Sequence, residues 1–469
     1  ITTGDGQMLA TREIWSGSPA NYRINTTANS PILVQENQLN TAVKSKGIIA
    51  RASDVIYTSL RAYAPNHAGY LTTKGEDALG RRFRLGSARL FNNNPSHNFF
   101  ASIIATEDNT TIAFSEYDTA VEFRNGLNPT TVLNAGESFV VSGYSGPQAN
   151  SEGFIGALLE ADKPIVVNSG NLNGNFYQGE FGESLSDMLI DQIVDESATG
   201  FEYMLIRGGG NDSSEVPVII ANSDDTEIYV NGSYVTTLED AGDFYYLESH
   251  SYYLPASSAQ HRNMYISTND PAKTLYVYQM LAGRSGTNNA QTGNYPSATP
   301  GMNFIPPLSC FFQNTVDLIP AITEIYPNNP QQFVGDILIT SRVGTSISIN
   351  GNSLDQASAL SNPGTPDWET YYVDGLTGNA QIIADGPIAA GLFGAYQSAG
   401  FAGYYSGFAV NPEDTTTSIC RDGGPIDLLE RINGNPPLGG TWTPPLASGT
   451  NIFDPNLDLS SQYLYEVAG

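Results

Sequence analysis

The feature that most limits what this chain can become is that it repeats itself. The segment beginning at Ala105, ATEDNTTIAF, returns at Ala221 as ANSDDTEIYVNG and more loosely at Thr340 as TSRVGTSISING. Each copy reads as a strand end, a polar turn and an alternating strand. Further on, LNAGESFVV from Leu133 matches LEDAGDFYYL from Leu238, with Ala-Gly as the turn, and the third copy keeps only GLTGNAQII from Gly375. A second strand pair then enters through an acidic turn: EADKPIVVNSG around Asp162, TNDPAKTLYVYQ around Asp270 and IADGPIAAGLFGAYQ around Asp385. The proline marks where that strand begins. With a degenerate earlier copy, ARASDVIYTSLRAYA around Asp54, the four aspartates stand 108, 108 and 115 residues apart. A unit of about 110 residues is too long for a helical solenoid repeat and fits about six or seven strands of ordinary length.

The residue types agree with strands. The chain carries 26 Tyr and 20 Phe among many Val, Ile and Thr, which suit a pleated, half-buried surface. FFASIIA, VPVIIA, DILIT and GFIGALLEA are apolar on both faces, so each strand is covered on both sides. The fold class is therefore all-β: pseudo-repeated antiparallel modules packed as a propeller-like or multi-sandwich domain over residues 1–410, with no linker long enough to free them. At Asn411 the texture changes. Residues 411–469, with Trp442 in GGTWTPP and a last alternating run SQYLYEVAG, read as the start of a small, incomplete Ig-like sandwich.

Charge excludes some functions. Lys plus Arg number 20 against 48 Asp plus Glu, a net charge of -28, which repels phosphate backbones and anionic membranes. Nucleic acid is not an expected partner. No apolar run approaches the roughly 18 residues that span a bilayer. The sequence opens at Ile1 without a leader, so a secretion signal has been removed or lies outside it. Two cysteines, Cys310 and Cys420, are too few for a disulfide scaffold or a cysteine-built metal site. Cys310 reads as a small buried hydrophobe or as the partner of Cys420; the unpaired reading is favoured because Cys420 falls in the second domain.

No standard constellation for catalysis is present: no GxSxG, HExxH, GxxxxGK[ST] or CxxC. His67, His97, His250 and His261 never stand at ligand spacing. The aspartates that recur at equivalent turns, Asp108, Asp162, Asp224, Asp270 and Asp385, read as architecture. Two loops offer oxygen ligands for calcium, Asp212 and Glu215 in RGGGNDSSE, and Asp454 and Asp458 in FDPNLDLS, though neither has the EF-hand pattern. No other cofactor is expected. Binding candidates are aromatic: Tyr245, Tyr246, Tyr252 and Tyr253 in DFYYLESHSYYLP, and Tyr404 and Tyr405 in FAGYYSGF. Such rings grip sugars or proteins, or else pack between strands. The long polar loop Gly283–Gly301, carrying Tyr295, exceeds ordinary connections and is the segment most suited to a partner.

These segments together, with GMNFIPPLSC and YYSGF, resemble the IgG Fc-binding-protein N-terminal type of domain found in large surface proteins of Bacteroidetes, most clearly over residues 95–410. The tail, GGTWTPPLASGTNIFDPNLD and YLYEV, is similar to repeats of gliding-motility-associated adhesins. The resemblance implies a secreted, outer-membrane-associated surface protein exported by type IX secretion. The same resemblance implies that the partner of Cys420 lies beyond Gly469. The expected function is a non-enzymatic adhesin that binds surfaces, glycans or proteins, including copies of itself, through loops of a β scaffold. The rivals are a subunit of an extracellular filament or surface layer, and a carbohydrate-active hydrolase working with two carboxylates in a cleft.

Overall fold

The computed structural model describes residues 1–24, 27, 30–54, 56–64, 67–90, 96–145, 151–178, 184–209, 215–247, 251–255, 261–281, 301–309, 312–325, 333–396, 399–408, 416–419, 424–432 and 439–467. A hairpin of β1 (Ser59–Ala64) and β2 (His67–Thr72) precedes three sandwiches. The first is built from β3 (Gly80–Arg84), β4 (Phe99–Ala105), β5 (Thr110–Ser115), β6 (Val121–Phe123), β7 (Thr130–Leu133), β8 (Ser138–Ser145), β9 (Leu158–Gln178) and β10 (Ser184–Ile193). The second uses β11 (Glu202–Ile206), β12 (Val218–Ala221), β13 (Thr226–Val230), β14 (Ser233–Leu238), β15 (Phe244–Tyr246), β16 (Asn263–Thr268), β17 (Leu275–Leu281) and β18 (Gly301–Phe304). The third uses β19 (Thr315–Ile319), β20 (Val334–Arg342), β21 (Ile347–Ile349), β22 (Asn352–Ser353), β23 (Leu360–Asn362), β24 (Thr365–Val373), β25 (Ala380–Ala384), β26 (Ile388–Tyr396) and β27 (Ala399–Tyr404).

Strand order is the same in all three. One sheet runs β3-β9-β5-β7, β11-β16-β13-β14 or β19-β25-β21-β22; the other runs β8-β4-β9-β10, β15-β12-β17-β18 or β24-β20-β26-β27. Inward residues of both sheets share a core, such as Ile112, Phe114, Ile103 and Val167 in the first. The arrangement is thus the multi-sandwich one, with eight strands in the shared plan. The unit exceeds the expected six or seven because its shortest strands leave too little alternation to read. In the first sandwich β9 serves both sheets: Leu158–Ala161 pairs with β5, and Ile165–Gly170 with β4. The change falls at Asp162–Pro164, where an acidic residue and a proline interrupt the ladder. The other two sandwiches break the chain at the same place.

The repeated turns have a shared chemistry. Asp108 Oδ1 accepts the Ala135 N–H (3.0 Å), and Asp224 Oδ1 accepts that of Ala241 (2.9 Å). Asp162 and Asp385 each accept an N–H at the start of the facing strand, from Thr111 and Ser346, both at 2.8 Å. These carboxylates satisfy turn amides that no ladder reaches. The earlier copy expected around Asp54 is not a sandwich: among the described residues that stretch supplies the β1–β2 hairpin, with Arg61 donating to the carbonyls of Pro320, Ala321 and Glu324. One strand and a turn resembled a repeat, but the described residues before it do not supply the other strands of a sandwich.

The last strands of the sandwiches, β10, β18 and β27, gather at a central seam, where β10 and β27 each pack against both β2 and β18. Asp191 on β10 accepts the Phe304 N–H of β18 at 2.9 Å, and Asp187 accepts the Ala68 N–H of β2 at 3.2 Å. Thr72 Oγ1 donates to the Tyr404 carbonyl of β27. A Cβ on Gly301 would stand 2.2 Å from the Ala402 nitrogen, so glycine permits β18 and β27 to touch. Tyr276 and Tyr278 of β17 reach the first sandwich, their hydroxyls donating to the Val194 (2.9 Å) and Arg84 (2.7 Å) carbonyls. Burying a ring while its hydroxyl finds a carbonyl explains much of the tyrosine content.

The described residues between 416 and 467 carry two short strand pairs, Ile426–Asp427 with Ile452–Phe453 and Thr441–Thr443 with Leu464–Glu466, around Leu428, Leu446 and Phe453. Among the described residues no helix is long and apolar enough to cross a membrane.

Candidate functional site

Parts of the tyrosine-rich stretch line two recesses, Ala241–Phe244 in one and Ser251–Leu254 in the other. The first lies between the first and second sandwiches, holds about 410 Å³, and is lined by Glu116, Tyr117, Asp118, Glu152 and the turn Ala241–Phe244. Its walls are fixed by backbone that few residues adopt: Glu116 has φ 56, Gly153 φ 45, Gly156 φ 83 and Gly242 φ 95. Beneath it lies Arg84, 1% exposed, which bonds Glu116 and the Gly156 carbonyl (3.0 Å). Any Cβ on Gly242 would come within 2.7 Å of that guanidinium. Arg89 pairs with Glu152 at 2.5 Å and covers the Tyr246 ring at 4.1 Å. Tyr117 stacks on Phe114 with centroids 5.0 Å apart.

The result is a polar cleft with four carboxylates at its rim and the rings of Tyr117 and Phe244 as apolar contact. Among its lining residues there is no serine, cysteine, histidine or lysine. Glu116 and Glu152 are tied to arginines, an arrangement suited to accepting hydrogen bonds from a ligand. The second recess, about 540 Å³ and open, is lined by Val230, Asn231, Val235 and Ser251–Leu254. Tyr234, 57% exposed, stands near it and packs edge-on against Tyr229.

The tyrosines expected to bind divide by burial. Tyr245 is exposed at the sheet edge, Tyr246 is half-buried under Arg89, and Tyr253 lines the second recess. Tyr252, Tyr404 and Tyr405 are buried: the Tyr252 hydroxyl accepts from Gln279 (2.8 Å), Tyr404 packs between the second and third sandwiches, and Tyr405 packs with Tyr70. Tyr295, its loop up to residue 300, Asp212, His250, Cys310 and Cys420 lie outside the described residues.

Glu215 is fully buried and accepts the Gly208 N–H (3.2 Å). Asp454 and Asp458 are engaged in turns, accepting from Asn456 (2.9 Å), Ala447 (2.7 Å) and Asp454 N–H (2.8 Å). Among the described residues no three His, Cys, Asp or Glu side chains converge as metal ligands would. His261 sits where the second and third sandwiches meet, its Nε2 2.9 Å from Thr370 Oγ1, and burial lowers its pKa to about 4. The acidic cleft was missed in the sequence because Glu116, Glu152 and Asp243 are far apart in the chain; the one signal was the aromatic, acid-led run beginning at Asp243.

A family model described as IgGFc binding protein matches residues 69–394, from within β2 to within β26. Among solved structures, the Pleurotus ostreatus lectin in its apo form is 13% identical over 51% of this chain and 87% of the lectin chain, with a TM-score of 0.12. No curated protein matches the chain.

Proposed function

The chain belongs to the IgGFc-binding protein family over residues 69–394, and from that premise we propose that it is an extracellular surface protein that holds a protein or glycan partner. The observation that carries this reading is the cleft between the first and second sandwiches, where carboxylates and two aromatic rings face solvent on a frame fixed by Arg84. Hydrogen-bond acceptors beside ring faces suit sugar hydroxyls, ammonium groups and guanidinium groups. A hydrolase would need one of these acids to deliver a proton, and two of them are instead bound to arginine. Display on the outer membrane, export by type IX secretion and a part in adhesion or gliding are the finer form of the proposal, supported by the resemblance of the tail to gliding-associated adhesin repeats.

The test is direct binding by the full chain to a glycan array, to isolated Fc and to whole-cell surfaces, compared with a Phe244→Ala, Glu152→Gln variant. Loss of an interface aromatic and a charged acceptor weakens binding by about tenfold or more. Glycoside cleavage by the chain, or binding that ignores the variant, would remove the cleft as the gripping site.

A further inference from the structure

Because the three sandwiches share one strand order, each has an equivalent of β15, and the fates of these strands differ. The pairs Ile104 with Ser138, Ile220 with Phe244, and Thr340 with Thr370 hold corresponding places. The Ala105 N–H donates to the Glu137 carbonyl (3.1 Å), as Ala221 does to Asp243 (2.9 Å). That phase turns the main-chain groups of Ser138 and Val140, and equally of Phe244 and Tyr246, outward from the sheet. In the first sandwich they are met by the N-terminal segment: Ser138 and Val43 exchange two bonds of 2.9 Å, and the Asn40 N–H donates to Val140 at 2.9 Å. In the third, Thr370 pairs with Leu360 of β23. In the second, among the described residues, β15 pairs with β12 alone and nothing meets the outward groups of Phe244 and Tyr246.

The segment that fills the first slot also shows what chemistry it takes. Asn40 to Lys44 brings the Lys44 ammonium 3.7 Å from Glu137. Asp243 holds the place of Glu137: Glu137 accepts the Asn134 N–H (2.7 Å) and Asp243 that of Asp240 (3.1 Å). No lysine or arginine pairs with Asp243 among the described residues, while Glu116, Asp118 and Glu152 line the same recess. We propose that β15 is a strand-addition site, and that its occupant is an extended segment of a partner protein carrying a basic residue placed to reach Asp243. This deepens the binding role proposed above and rests on it.

The probe is a labelled peptide of residues 38–46, QLNTAVKSK, alongside lysine-bearing alternating peptides of the same length, titrated into the full chain. Binding is read by fluorescence anisotropy and by hydrogen exchange at Phe244 and Tyr246. The expected result is saturable binding that slows exchange at both amides, vanishes when proline replaces the probe's valine, and weakens about twofold to fivefold in Asp243→Asn. Probes that bind nowhere, or that leave both amides unprotected, overturn the proposal. So does concentration-dependent dimerisation that protects β15 without peptide, which makes a second copy the occupant. Full-length partner binding with β15 unprotected leaves the surface-binding role standing and removes strand addition alone.

Discussion

Lys74 and Asp191 form a buried ion pair. Their side chains are 0% and 1% exposed and 2.8 Å apart. Burial pushes the ammonium's pKa down and the carboxyl's up, and each is pulled back by the other. Asp191 also holds the Phe304 N–H, so it joins the first and second sandwiches. Replacing Lys74 by Met leaves a buried charge alone and destabilises by about 3–5 kcal/mol, whereas K74M with D191N regains much of that because the amide oxygen still accepts from Phe304. Urea midpoints of the two variants check this; a K74M midpoint equal to wild type would deny the pair its role. Nothing in the sequence singled out either residue, since a lone Lys and a lone Asp more than a hundred positions apart have no local pattern. The turn aspartates were legible because a carboxylate serving a turn recurs wherever the turn recurs.

Among the elements, the seam strands carry the close contacts. A Gly301→Ala variant would set its methyl against the β27 backbone, 2.2 Å from the Ala402 nitrogen. Relief requires β18 and β27 to separate, at a cost of about 1–3 kcal/mol. Gly6→Ala, a position with open space but φ 83, is the control for backbone strain, and thermal unfolding compares them. Equal loss in the two would show that the seam has slack. The long apolar strands were readable from their composition, and β17 is buried at every position. The order of strands within each sheet was not, because pairing between distant strands depends on which edge is already taken. The segment from Asp243 to Pro255 stands out in the sequence for its rings, whereas the strand addition proposed above uses the main chain of Phe244 and Tyr246, to which side-chain patterns are blind.

For the whole molecule, internal repetition announced β modules of nearly the right length, and the structure resolves them as three sandwiches of one plan. That plan supplies its own comparison. The slots filled by the chain itself in the first and third sandwiches have no occupant in the second among the described residues, beside an acidic cleft. The strand addition proposed above places the partner at this edge, with Asp243 set to meet its basic residue. Hydrogen exchange on the free full chain, read residue by residue, tests this most directly. Phe244 and Tyr246 should exchange at rates near those of an open strand edge, while the equivalent Ser138 amide, bonded to Val43 at 2.9 Å, is protected by orders of magnitude. Equal protection at Phe244 and Ser138 would mean that the chain already closes this edge, and the partner-binding face would have to be sought elsewhere.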